Sequence, residues 1–538
     1  MLPFDPFIIP VLLYAETHFR FFGILPSLLY RNNPEVLFDL PRRIGPGSDL
    51  PVLLLCNDID RFPAQCAEVT IAVTQNGEPA RRFGFESLDK YIVEHPFSFQ
   101  SAVYLFTIPR IELKTGTAFI TCTATMKRGK KTNTIINDNL PGSSKLSFSC
   151  FISDEPLPGH EYCSLGDMHV HSHYSQSHVE FGPPIEIIDL LSKCYGIDFV
   201  VITDHSYDLA CSMTDYLKPD CRLPRWDSIF KDVSNKKFNT IVVLGEEISC
   251  LNSKGKAVHL CGIGIQKYIS GTMDGARRTA MDKQLSIAEV ISELHSQQGV
   301  AFAAHPGSKM GIFQRLFLKR GNWEQRDCSF PLDGIQGINN GFGKNWAKAK
   351  SLWIKELKKG HKLSLAAGND CHGDFNRYRY LAVPFVSIGE SFHRYFSNAM
   401  TGIYQNISSQ QDVIQGLKKG KTFVTTGPYL CIGASTSPFE SIVSNEEYDL
   451  TNKELSIAII SSPEFGLPYC IRLFYGDMRQ NPETMIFCKY FNKKHYTVIE
   501  NLPGLKVADR GYVRAEAECL KEDGRLSFSA TSPCYFSK

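Results

Sequence analysis

Residues 165–178 read LGDMHVHSHYSQSH and place four histidines, His169, His171, His173 and His178, within ten positions. The whole chain holds 15 histidines in 538 residues. On an extended backbone, residues two apart point to the same side, so His169 and His171 present their rings together. Further along, apolar runs end in the same kinds of side chain. VVITDH ends in Asp204 and His205, VVLGEE in Glu246 and Glu247, VAFAAH in His305, and LAAGNDCH in Asp370 and His372, while His259 lies inside AVHLCG. Imidazole and carboxylate are ligands that zinc, manganese and iron accept. A buried strand end avoids such groups unless they are paired or metal-bound. Several carboxylates with this many imidazoles exceed the needs of one tetrahedral ion. The set therefore predicts a cluster of two or three divalent ions (Zn, Mn or Fe) with a bridging carboxylate. A metal-free hydrogen-bond network is the competing reading, and the excess of acceptors over cationic donors counts against it. His18, His95, His160, His295, His361, His393 and His495 lie away from these strand ends and read as ordinary histidines.

The elements that must position these ligands follow from hydrophobic patterning. Residues 161–400 alternate apolar strands (IDFVVITDH, NTIVVLGEEIS, KAVHLCGIGI, VAFAAHPG, LDGIQGIN) with helical stretches such as PPIEIIDLLSKCYG, LSIAEVISELHSQQG and NWAKAKSLWIKELKKG. Near-continuous apolar strands alternating with helices predict a parallel α/β barrel, in which the carboxyl ends of the strands gather on one face. Residues 1–155 carry short β-like runs punctuated by turn signals such as GPGSD and QNGE, predicting an antiparallel β-sandwich. Residues 401–538 open with the helix SSQQDVIQGLKKGK and return to β-like runs, predicting a small β-rich domain packed on the barrel.

Bulk properties narrow the function classes. The charge is +2 from 58 basic and 56 acidic residues, which gives no electrostatic case for nucleic acid. The basic stretch MKRGKK at 126–131 reads as a solvated hairpin tip. Seventeen cysteines contain no CxxC pair and fit buried thiols better than a disulfide framework. The apolar stretches at 1–19 and 22–31 lack a cationic leader and the length of a span, so the expectation is a cytoplasmic chain without a membrane span.

The ordered series DMHVHSHYS, VVITDHS, LGEEIS, VHLCGIG, AFAAHPG and GNDCHGD, spanning residues 167–374, resembles the PHP (polymerase and histidinol phosphatase) superfamily of metal-dependent hydrolases. GLKKGKTFVTTGPYL at 416–430 and the terminal FSATSPCYF are similar to the closing segments of its carbaryl-hydrolase-like (CehA/McbA) branch, whose members carry β-domains around the core. The resemblance implies a distorted (β/α)7 barrel with a di- or trinuclear centre. It implies that His169, His171, Glu247 and Asp370 hold one ion. Glu247, in preference to Glu246, would bridge to a second ion held with His259 and His305, and a third would take His205 and His372. Asp204 would orient a ligand. The family's further ligand after HxH falls at Gln176 here, leaving His178 foremost, then His173, as the nearby substitutes.

The expected chemistry is attack by a metal-bridged hydroxide on phosphorus or a carbonyl carbon, with His205 or His372 protonating the leaving oxygen and Asp204 supporting them. A small phosphoester is the leading substrate. A carboxylester or carbamate is the alternative, and a binding module on a degenerate core is the reading from another class. Lys254, Lys256, Lys309, Arg277, Arg278 and Arg377 follow the ligands closely as phosphate-contact candidates, each more simply a solvated charge. Asn340 and Asn369 are candidate substrate contacts. The sequence does not specify the oligomeric state.

Overall fold

The strand Gln65–Gln75 alternates: Val69, Ile71 and Val73 are buried while Glu68 faces water. Such alternation builds a sheet with one wet face. In the computed structural model this strand pairs antiparallel with Gly116–Arg128, which buries Ala118, Ile120, Cys122 and Ala124 on the same core. The facing sheet contains Glu35–Asp39, Leu50–Asn57 and Ser101–Ile108. Leu50–Asn57 is buried throughout. Its Val52 and Leu54 face the first core, while Leu53 and Leu55 join a second core that contains Ile185, Ile188 and Leu191. The apolar run PVLLLCN is thus explained by a strand covered on both faces. The structure describes residues 33–139, 146–175, 182–215, 218–271, 284–309, 320–339, 341–376, 380–383, 386–389, 395–449, 454–478, 481–492, 495–502 and 510–537. The apolar stretches at 1–31 and Gln176, His178, Arg277, Arg278, Asn340 and Arg377 lie outside them.

The central region contains, in chain order, β1 (Ser164–Val170), α1 (Ile185–Tyr195), β2 (Phe199–Ile202), α2 (Ser206–Leu209), α3 (Pro224–Asn235), β3 (Ile241–Leu251), β4 (Ala257–Ile263), α4 (Ile287–Ser296), β5 (Val300–Ala303), β6 (Gly334–Asn339), α5 (Lys344–Leu357) and β7 (Ser364–Gly368). β8 (Met400–Ile403), α6 (Gln410–Lys418) and β9 (Thr422–Thr425) follow. Local chemistry marks several boundaries. α1 stops at Gly196, whose φ of 97° suits glycine. α4 starts on a capping box between Ser286 and Glu289.

The expected helix-rich (β/α)7 barrel is not the observed architecture. The chain is mostly β, with 44% of residues in strands and 17% in helices, and six α-helices among the described residues. β1, β2 and β3 run parallel, as do β5, β6 and β7, but β4 is antiparallel to both of its neighbours. The link from β3 to β4 is a tight turn, in which Asn252 N–H donates to Lys256 C=O at 2.9 Å and Gly255 adopts φ 65°. A parallel crossover needs a dozen residues or more, so this turn admits only a hairpin. The sheet also continues past β1 through β8 and β9 into the C-terminal strands, giving one mixed fifteen-stranded sheet. The far C-terminal strands enclose a third core around Ile432, Ile457, Ile471 and Val513.

What matters for the ligands is that β1 and β7 meet at their ends. Asp370 N–H donates to His169 C=O at 2.8 Å, and His171 N–H to Cys371 C=O at 3.0 Å. Among the described residues no helix is long and apolar enough to cross a membrane.

β7 has a ladder on one side, with β6; on its other side hydroxyls serve instead. Thr401 Oγ1 accepts from Ala367 N–H at 2.8 Å and donates to Ala367 C=O at 2.7 Å. Thr422 Oγ1 donates to Leu365 C=O at 2.7 Å, and Ser532 Oγ accepts from Leu365 N–H at 2.8 Å. Replacing buried Thr401 by isosteric valine strands both Ala367 groups. Thr401→Val is expected to cost about 2–3 kcal/mol, measured as a fall in the thermal unfolding midpoint; an unchanged midpoint contradicts this role for the hydroxyl.

Candidate metal centre

The end of β1 is fixed by a buried carboxylate. Asp167 accepts from His169 N–H at 3.1 Å, from Asn369 N–H at 3.2 Å and Nδ2 at 2.5 Å, and from Ser397 N–H at 3.1 Å. Burial pushes Asp167 up to about 6, against the pull of these donors. Gly368 completes the junction, since a Cβ there would lie 2.6 Å from His169 Cβ. No other residue permits that approach.

Four ligand-type side chains converge at this junction. His169 Nε2 lies 3.3 Å from His171 Nε2, 3.4 Å from Glu247 Oε2 and 3.6 Å from Asp370 Oδ1. His171 Nε2 lies 3.3 Å from Glu247 Oε2 and 3.2 Å from Asp370 Oδ1. Ligand atoms about 2.1 Å from one tetrahedral ion sit about 3.4 Å from each other. The five separations match the edges of such a tetrahedron. Two further groups, His205–Glu247–His259 and His171–His205–His372, also bring their ligand atoms within 4.8 Å of one another. These buried groups could hold a metal ion.

Glu247 is common to the first two groups and divides its oxygens. Oε2 faces His169, His171 and, at 2.9 Å, His205 Nδ1. Oε1 faces His259 Nδ1 at 2.5 Å and His305 Nε2 at 2.9 Å. Burial would raise this carboxyl, but His259, His169 and His205 hold it well below the ordinary glutamate range. Asp370 is likewise held well below its range despite burial, by His169 and His171. Burial pushes His205 down to about 4, so its imidazole is neutral near pH 7. His169 and His171 are also desolvated, yet acidic neighbours dominate: Cys261, Glu247 and Asp370 hold His169 well above its usual value, and Asp370 with Glu247 raises His171 to about 9.

An outer partner sets the His169 tautomer. Gln336 Nε2 donates to Asn339 Oδ1 at 2.9 Å and to Gly368 C=O at 3.1 Å, so its Oε1 is the acceptor facing His169 Nδ1 at 3.0 Å. The same oxygen accepts from His305 N–H at 3.1 Å. His171 Nδ1 faces Ser175 Oγ at 3.1 Å. With both Nδ1 atoms engaged outward, the two Nε2 atoms face one another. The two Nε2 atoms lie 3.3 Å apart, a spacing that a cation between them or a proton on one of them accommodates.

The structure separates the remaining candidates. Asp204 accepts from Ser172 N–H at 2.9 Å, Ser172 Oγ at 2.6 Å and Ser175 N–H at 3.0 Å; it organises the turn after His171 rather than facing Glu247. Glu246 points to the opposite side of β3, accepts from Ile269 N–H at 3.2 Å, and is pushed well above its usual range by burial. His173 packs against Tyr174 and His95. His372 stacks on His171 with ring centroids 4.0 Å apart. Asn369 serves Asp167 and Ala399 within the backbone junction. Lys254 pairs with Glu324 at 2.7 Å. Sequence reasoning missed Asp167, Gln336 and Ser175. Gln336 had a signal: it is a polar residue inside the apolar run DGIQGIN, where burial demands a partner.

No protein-family model and no curated protein matches the chain.

Two outcomes are expected. Gln336→Leu frees the His169 ring and should weaken metal affinity about 10- to 100-fold, read by competition with a chromophoric chelator; an unchanged affinity refutes the orienting role. The raised His171 contributes stability that is complete below its unfolded value, about 6.5, and is lost as pH rises through about 9. The chelator-treated protein should therefore lose thermal stability between these limits, while added Zn2+ or Mn2+ flattens the profile, because deprotonated imidazole is the metal-binding form. A pH-independent midpoint in the chelated protein would count against this electrostatic picture.

Proposed function

We propose that this chain is a metal-dependent hydrolase acting on a small phosphoester. The proposal agrees with the resemblance of its ligand series to the PHP superfamily. The observation that carries it is Glu247, one buried carboxylate whose two oxygens address two different sets of imidazoles. His169, His171, Glu247 and Asp370 would hold one divalent ion, and Glu247 with His259 and His305 a second, while His205 lies beside the Glu247 oxygen that faces the first. When bound, such ions lower the pKa of a water and stabilise charge developing on a departing or attacked oxygen.

The protein's own contributions follow from the geometry. Glu247 and Asp370 stay ionised, and His205, neutral, offers a lone pair rather than a proton. That changes the expected division of labour: His205 acts as a ligand, leaving His372 as the candidate proton carrier. His372, like His305, is only half-buried, whereas His169, His171, His205 and His259 are buried. Gln336, Asp167 and Ser175 hold the ligating rings in place before any substrate arrives, which reduces reorganisation during reaction.

The test is elemental analysis by inductively coupled plasma mass spectrometry, paired with turnover of p-nitrophenyl phosphate and p-nitrophenyl acetate in the presence of Mn2+ or Zn2+. Bound metal and faster phosphoester turnover are expected, and Glu247→Gln should lose metal and lower turnover by more than about 100-fold. Wild-type levels of both in Glu247→Gln, or a metal-free protein inert on either ester, would refute the proposal.

A further inference from the structure

The loop that carries His372 is anchored at both ends. At its start, His171 N–H donates to Cys371 C=O at 3.0 Å, and Cys371 forms an isolated parallel bridge with Val170. At its far end, Phe396 N–H donates to Asp374 C=O at 2.9 Å, and the buried Phe375 ring packs on Phe396 with centroids 5.0 Å apart. Only His372 and Gly373 remain between these anchors. Gly373 turns there at φ 73°, and a Cβ on it would lie 2.9 Å from Pro183 Cδ. The direction of the His372 ring is therefore set by where the anchors hold the backbone. That ring stacks on His171 with centroids 4.0 Å apart and lies 5.6 Å from the His205 ring.

The N-terminal sandwich reinforces the far anchor. Asp39 ends the strand Glu35–Asp39 and is 1% exposed. Its Oδ2 accepts from Phe375 N–H at 3.0 Å, and its Oδ1 from Asn376 N–H at 2.8 Å and Leu40 N–H at 2.9 Å. Asn376 Nδ2 also donates to Ser149 C=O at 2.7 Å, in the sandwich strand Phe148–Ile152. Phe375 and Asn376 lie 336 and 337 positions along the chain from Asp39. These bonds are thus a joint between two regions, not local turn chemistry. One carboxylate gripping two successive amides fixes orientation as well as position, since a single bond would leave a rotation free. Such bonds are the stronger, charge-assisted kind.

We infer that Asp39 is a positioning residue for the hydrolytic site. By holding Phe375 and Asn376 it aims the His372 ring at the cluster, which makes the N-terminal sandwich a working part of the centre. This assignment rests on the hydrolase reading above. Asp370, the metal-ligand candidate nearest the loop, is tied separately, through its N–H to His169 C=O at 2.8 Å. Loss of the Asp39 carboxylate therefore displaces His372 and leaves the metal ligands in place.

Steady-state turnover of p-nitrophenyl phosphate by the full, Mn2+-loaded chain tests the assignment. Asp39→Ala should lower kcat about 10- to 100-fold with KM held within about twofold. Asp39→Asn keeps one acceptor oxygen and should fall between. Metal content by mass spectrometry should match wild type in both, and amide exchange at Phe375 and Asn376 should quicken in Asp39→Ala. In a His372→Asn background, Asp39→Ala should cost little more, because the two residues act as one unit. Val69→Ala, a cavity in the sandwich's own core, should lower the thermal midpoint and leave kcat unchanged. Wild-type kcat in both Asp39 variants, unchanged exchange, full additivity with His372→Asn, or an equal fall in Val69→Ala overturns the assignment and leaves the hydrolase reading standing. Loss of metal from both Asp39 variants overturns it too, since the carboxylate then supports the ligands. A wild-type chain that takes up no metal and turns over neither ester overturns both.

Discussion

The centre of this structure depends on keeping one carboxylate charged where water cannot reach it. Glu247 is fully buried, and desolvation alone would drive it toward its neutral acid. The surrounding imidazoles reverse that preference. Its neighbour Glu246 is a control supplied by the same strand. Equally buried, but facing the other side of β3 with one backbone amide for company, it is pushed toward the neutral form. Strand alternation alone separates the two fates. Burying an ionised group this way is poor economy for stability unless something compensates it, so the arrangement reads as one held for binding.

Backbone conformation points in the same direction. His305 and Asp370 both occupy positive φ, at 32° and 53°, where residues other than glycine are uncommon. Such positions cost on the order of 1–3 kcal/mol and persist where the surroundings over-determine them. Here they are over-determined. Asp370 N–H is tied to His169 C=O, and His305 N–H is tied to the Gln336 oxygen that also orients His169. The strain therefore sits at two side chains whose direction matters most, and both are directed at the Glu247 cluster.

The metal-ligand candidates were legible because chemistry-bearing residues stand out against apolar strands. Their partners were less so. Gln336 was visible as a polar break in an apolar run, whereas Asp167 sits before His169 and looks like any acid at a turn. The architecture was misread for a physical reason. An apolar run reports that a strand is covered on both faces, but not its direction. VVLGEEIS and AVHLCGIGI look alike in composition, yet they form a hairpin, and only the short NSKGK link between them carried that information.

The C-terminal region also has a place in this argument. A strand that carries a ligand at its end must be rigid, yet among the described residues β7 has no ladder along one side. Threonine and serine hydroxyls can stand in for a strand because each donates and accepts, satisfying N–H and C=O groups without sharing the strand's direction. Thr401, Thr422 and Ser532 do this along β7, and Ser532 lies in the last segment of the chain. The backbone that ends at Asp370 is thus completed by residues up to 162 positions later. A mixed sheet running from the ligand strands into the C-terminal strands makes that possible, because β9 pairs both with β8 and with Leu526–Thr531. The extension of the sheet beyond the ligand-bearing strands is therefore part of what holds the cluster in shape.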